Sequence, residues 1–240
     1  MNQPIPDNEP ARLVALRNYH LLDSGRESSF DDFTAFASHI CQTPIALVSL
    51  VDVDRQWFKS KVGLEVDQTP RDVAFCSHAI MGKDLFVVPD AVRDQRFVDN
   101  PLVTGDPSIR FYAGAPLVDR DGFGLGTLCV IDRVPRSLDP KQAEALRALA
   151  RQVMTLIENR RVLERLATAL EEVKVLEGMI PVCSSCKNVR NDAGFWETIE
   201  AYVTSRTESR FTHGICPSCV RSLYPEIADS VLSRKPDTSA

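Results

Sequence analysis

From Lys141 to Glu177 the chain carries no Gly and no Pro. Nothing in that stretch breaks a helix once it has started. Residues 139–177 therefore read as one helix, about 60 Å long at 1.5 Å per residue. It divides the 240 residues into a first region, 1–138, the helix region, 139–178, and a third region, 179–226, followed by a polar tail, 227–240, expected to be disordered. Along the helix Leu146, Leu149, Val153, Leu156 and Leu163 follow a 3-4-3-7 spacing that Arg160 interrupts. Leu163, Leu166, Leu170 and Val173 resume it in a shifted register. This is a coiled-coil-like seam with a change of phase. The first half is expected either to pack on its own domain or to pair. The second half, with no domain beside it to cover its apolar face, is expected to form a homodimer of undetermined direction.

The first region mixes helix and strand periods. Ser28–Cys41 places Phe33, Phe36, Ala37 and Ile40 at helical spacing. Ile45–Val51 is a continuous apolar run and reads as a buried strand. Further strands are expected at Gln56–Val62, Leu85–Val88, Phe111–Val118 and Leu125–Ile131. The last two are joined by the turn Asp119-Arg-Asp-Gly-Phe-Gly. Strands in succession with helices set to one side make an α+β fold with an antiparallel sheet.

The third region contains Cys183 and Cys186, then Cys216 and Cys219, as two Cys-x-x-Cys knuckles. A two-residue gap lets both thiolates of a knuckle reach one tetrahedral ion, and two knuckles complete an all-sulfur zinc site. His213, three residues before Cys216, is the alternate ligand. Four thiolates leave no open position, so the expected zinc is structural and the expected module zinc-ribbon-like. Paired redox dithiols are the competing reading. About fifty residues bury little core, and metal binding coupled to folding would supply the missing stability.

The start of the chain lacks the basic and apolar parts of a signal peptide, and no apolar run reaches a membrane span. A cytoplasmic protein without membrane contact is expected. The net charge of −5 lies entirely in residues 1–138, and the cysteine region is balanced. That disfavours a nucleic-acid partner, which needs a basic excess.

Val51-Asp-Val-Asp-Arg-Gln-Trp-Phe-Lys-Ser, Thr69-Pro-Arg-Asp-Val-Ala-Phe-Cys-Ser-His-Ala-Ile, Gly114-Ala-Pro-Leu-Val and Gly124-Leu-Gly-Thr-Leu-Cys-Val-Ile-Asp together resemble bacterial GAF sensory domains. The likeness covers roughly residues 10–160. It implies a central antiparallel sheet, helices on one face, a small-molecule pocket on the other, and a terminal helix that enters a dimeric signalling helix. The cysteine region is similar to a small cysteine-rich domain appended to bacterial signalling proteins.

Within the implied pocket, Cys76 and His78 are expected to line the wall. Trp57, Phe58, Phe111 and Tyr112 surround the ligand space or fill core. Cys129, in a core-like strand, is the second pocket thiol. No catalytic motif stands out. The expectation is a sensor or adaptor without enzymatic activity, which binds an unidentified small molecule or senses redox state. A helix dimer then relays the signal to a signalling protein. The alternative is a GAF-type thiol reductase of the methionine sulfoxide class, or a bilin photoreceptor, using Cys76.

Overall fold

The computed structural model describes residues 4–177 and 180–232. They fall into two compact units, residues 1–169 and 170–240.

In the first unit, helices α1 (Glu9–Arg17) and α2 (Ser28–Cys41) precede strands β1 (Ile45–Val51), β2 (Arg55–Val62) and β3 (Gln68–Pro70). A 3-10 turn at Arg71–Val73 leads into α3 (Phe75–Ala79). Then come β4 (Phe86–Val88), α4 (Pro101–Thr104), β5 (Phe111–Val118), β6 (Gly124–Asp132) and α5 (Pro140–Glu177). The six strands form one antiparallel sheet in the order β3-β2-β1-β6-β5-β4. The five strands expected from periodicity are present, and β3 is additional. Its three residues are too few to show a period.

β1 is buried throughout and apolar but for Ser49, because both faces of the sheet are covered and alternation would place polar groups in a core. Ala46, Val48 and Leu50 join Leu16, Phe30 and Ala37 of α1 and α2 in one cluster. Ile45, Leu47 and Val51 join Phe75, Cys76 and Ala79 of α3 in the other. The start of α5 closes the first cluster with Leu146, Ala150, Val153, Met154 and Ile157. The first half of α5 therefore packs on its own domain. Val162, Leu163, Leu166 and Leu170 beyond it are more than half exposed.

Arg160, the break in the seam, marks the change of environment. It pairs with Glu27 at the start of α2 and with Glu164 at 2.9 Å. A bulge in β2 turns Lys59 to the same side. Its fully buried ammonium donates to Ser24 Oγ at 2.7 Å, the Gly25 carbonyl at 2.6 Å and Glu27 Oε1 at 2.6 Å. Glu27 thus ties α5 to the sheet. Glu27→Ala is expected to destabilise the first unit by roughly 1–3 kcal/mol, less than a fully buried pair because Glu27 meets solvent. Scanning calorimetry reads the loss, and an unchanged transition would show that Arg160 and Lys59 find other partners.

The second unit holds a hairpin of β7 (Val189–Arg190) and β8 (Trp196–Glu197), then α6 (Ile199–Arg206), α7 (Pro217–Leu223) and α8 (Ala228–Leu232). Among the described residues its buried apolar side chains are Val189, Val220 and Ala228. Phe195, Trp196, Leu223 and Tyr224 are exposed. The expected tail from residue 227 is corrected in part: Ala228 is buried and begins α8. Residues 233–240 of that tail, and Gly178 at the end of the helix region, lie outside the described residues. Among the described residues no helix is long and apolar enough to cross a membrane.

Candidate functional site

The sheet face opposite α1, α2 and α5 holds a cavity of about 500 Å³. Its apolar walls include Leu47, Phe58, Phe75, Leu102, Ile109 and Ile131. Its polar lining includes Gln56, Gln68, Thr69, Cys76 and Tyr112, with Glu65, Asp106 and Arg133 exposed at the rim. The volume lies within the usual range for small-molecule sites.

Cys76 is held by the loop that delivers it. The buried guanidinium of Arg71 reaches Glu9 at 2.5 Å and the Asp52 carbonyl at 2.8 Å, which anchors the 3-10 turn ahead of α3. Asn100 donates to the Val73 carbonyl at 2.9 Å, and Ser77 Oγ to the Arg71 carbonyl at 3.1 Å. The Phe75 ring stacks on Phe97 at 3.9 Å. α3 is thereby fixed over the sheet with Cys76 facing inward.

Three hydroxyls converge on the Cys76 thiol. Ser49 Oγ of β1 donates at 3.2 Å and Thr127 Oγ1 of β6 at 3.0 Å, while Tyr112 Oη of β5 lies at 3.1 Å. Cys129, two residues along β6 from Thr127, is buried in the same cluster as Cys76 and acts on its ionisation. Burial opposes ionisation of Cys76. Hydrogen bonds from Cys129, Ser49, Thr127 and Tyr112 outweigh it and bring the thiol down to about 7. Burial, then the bond to Cys76 and its charge, hold Cys129 well above the usual thiol range. Burial and the two sulfurs do the same to Tyr112, which stays a donor. The cluster favours a single thiolate, on Cys76, which is the nucleophilic form.

Gly114 makes the Tyr112 contact possible. A Cβ at Gly114 would lie 2.2 Å from Tyr112 Oη, so only glycine leaves room for the ring to fold back along β5.

Of the residues expected around the ligand space, Phe58, Cys76 and Tyr112 line the cavity. Trp57 and Phe111 do not; strand alternation puts them in the core beneath the helices. Cys129 is fully buried behind Cys76. His78 lines a separate depression of about 260 Å³ with Asp72, Gln95, Arg96 and Asn100. There it packs edge-on against Phe97 at 4.8 Å. Burial and then the Arg96 charge lower its pKa, so it is a neutral ring turned from the thiol. Sequence reasoning missed Ser49, Thr127, Gln56 and Thr69. The available signal was a single hydroxyl inside each of the apolar runs of β1 and β6, which a buried strand tolerates only when it has a partner.

In the second unit each knuckle is formed by itself. Backbone N–H groups of Cys186 and Ser185 point at the Cys183 thiol and lower its pKa. The Ser218 hydroxyl and then the Cys219 N–H lower Cys216 to about 7. The pairs do not meet. Among the described residues no three His, Cys, Asp or Glu side chains are grouped to hold a metal. Cys186, Cys216, Cys219 and His213 are exposed and Cys183 half-buried. Among the described residues the four thiolates are not gathered at one point, so the expected zinc-ribbon-like module finds no support; the second unit is a two-stranded hairpin with three short helices.

The family model for the GAF domain matches residues 25–157. A cyclic di-GMP phosphodiesterase of Pseudomonas aeruginosa is 47% identical over 159 residues, which is 66% of this chain and 27% of that protein. The chain thus spans about a quarter of the length of that relative. The blue-light absorbing PixJ GAF domain of Thermosynechococcus elongatus shares the fold at 15% identity, with 67% of this chain and 96% of that chain covered and a TM-score of 0.51. A GAF domain of a Coxiella burnetii phosphoenolpyruvate-protein phosphotransferase does so at 12% identity, covering 64% and 96%, with a TM-score of 0.50. The expectation of a sensor or adaptor without enzymatic activity is overturned by the similarity to the Pseudomonas relative, which is named as an enzyme. A motif search could not see it, because the matched region is only 27% of that protein.

Proposed function

The chain belongs to the GAF-domain family, and from that premise we propose that its first unit senses a small molecule or oxidant in the 500 Å³ cavity and passes the state of that cavity to cyclic di-GMP turnover. The observation that carries this reading is the Cys76 thiol at the cavity wall, acidified by the Ser49, Thr127 and Tyr112 hydroxyls. A purely structural thiol needs no such surround. The identity to a cyclic di-GMP phosphodiesterase supports the output.

The relay runs through α5, whose first half belongs to the core under the sheet. Its exposed second half is the proposed homodimer seam, where Leu163, Leu166 and Leu170 can shift between two registers. A signalling protein reads that shift. Native mass spectrometry of the purified chain is expected to show a dimer with a small molecule bound to each subunit. A bare monomer would sink both the relay and the occupied pocket.

A second reading has its own observation, a second thiol, Cys129, buried in the same cluster as Cys76. Two adjacent thiols can reduce a small sulfoxide. The Cys76 thiolate attacks the sulfoxide sulfur and Cys129 resolves the adduct. The oxygen leaves as water, and the thiols are oxidised to a disulfide as the sulfoxide becomes a sulfide. This is the chemistry of a methionine sulfoxide class reductase, and it uses the same nucleophile as the sensor.

A further inference from the structure

Two polar atoms on the cavity wall are buried and have no partner: Gln56 Oε1 and Thr69 Oγ1. Gln56 is 5% exposed. The two residues face each other in the β2–β3 ladder, so their side chains leave the same face of the sheet side by side. A buried polar oxygen left unpaired is costly, and here an amide carbonyl oxygen and a hydroxyl share one wall. They lie among Phe58, Phe75, Leu47 and Ile131, while the charged side chains lining the cavity, Glu65, Asp106 and Arg133, are exposed.

The geometry points to a ligand class: a small neutral molecule with an apolar body and an amide-type edge. Its N–H donates to Gln56 Oε1, and its adjacent carbonyl accepts from the Thr69 hydroxyl. The apolar body fills the space toward Phe58, Phe75 and Ile131. An ammonium could donate to both oxygens but offers no acceptor to the Thr69 hydroxyl. A carboxylate could accept from the Thr69 hydroxyl but offers no donor to the Gln56 oxygen. This inference rests on the proposed role of the cavity as a ligand site and goes beyond it by naming the chemistry.

Isothermal calorimetry with three probes of one shape tests it: 3-phenylpropanamide, 3-phenylpropylamine and 3-phenylpropanoate. The amide is expected to bind at least about tenfold more tightly than the amine or the acid, the span of one or two hydrogen bonds. Gln56→Leu and Thr69→Val are each expected to remove that preference, and the exposed-side Thr69→Val carries the test if Gln56→Leu does not fold. Equal or tighter binding of the amine or acid overturns the amide class and leaves the ligand-site reading standing. Binding of none of the three, together with no co-purified mass, overturns both. A crystal grown with the amide that shows only a water bridging Gln56 and Thr69 also overturns the class.

Discussion

Gly126→Ala is expected to destabilise the first unit by at least about 3 kcal/mol, the upper end of what overpacking costs. Gly126 lies in β6 between β1 and β5, paired with Leu50 and Leu117. A Cβ there would stand 1.9 Å from the Ser49 carbonyl oxygen and 2.9 Å from Leu50 Cα. These are backbone atoms of a central strand, so no rotamer change relieves the clash, and β1 must separate from β6. That separation also pulls Ser49 from Thr127, now 3.1 Å apart, and opens the hydroxyl cluster on Cys76. For a domain of this size the loss corresponds to a fall in Tm of more than about 6 °C. Gly25→Ala is the control. Its Cβ meets nothing within 4 Å, and the change is expected within about 0.5 kcal/mol of the parent. Thermal unfolding followed by circular dichroism reads both. A Tm for Gly126→Ala within 2 °C, roughly, of the parent would show that the two strands part without cost.

The sheet was legible because β1, β5 and β6 are long apolar runs that only a covered strand explains. α2 was legible because Phe33, Phe36, Ala37 and Ile40 repeat at helical spacing. The site was only half legible. Cys76 was visible as a thiol beside a histidine, yet the partners that matter come from Ser49, Tyr112 and Thr127, 27, 36 and 51 residues away. Sequence spacing carries no information on such contacts. Trp57 and Phe58 show the same limit from the other side. Adjacent aromatics in a strand point to opposite faces, and only the packing of α1, α2 and α3 decides which face holds the cavity. Zinc ligation was read from the spacing within each knuckle. Whether two knuckles meet is not set by that spacing.

The pH profile of Cys76 alkylation tests the reactive thiol directly. Iodoacetamide labelling followed on the Cys76 peptide alone, so that the exposed knuckle thiols do not interfere, is expected to rise through pH 7 with its midpoint at the Cys76 pKa of about 7. The sign follows from the lowered value: the thiolate is present above the midpoint and lost tenfold per pH unit below it. At pH 7 about half of Cys76 is then nucleophilic, against roughly 3% for an ordinary thiol, a difference of about 15-fold. The same linkage stabilises the folded state above the unfolded thiol pKa of about 8.5, and that contribution is lost as pH falls through about 7. Thr127→Val and Tyr112→Phe each remove one hydroxyl and are expected to move the midpoint upward. Cys129→Ser keeps a donor beside Cys76, so labelling persists, but it removes the resolving thiol. With dithiothreitol as reductant, methionine sulfoxide turnover is therefore expected to vanish in both Cys76→Ser and Cys129→Ser. Absence of turnover in the parent chain with the acidic profile intact would leave the sensor and remove the reductase. A midpoint at 8.5 or above would show that burial wins over the hydroxyls, and Cys76 would then be a core residue.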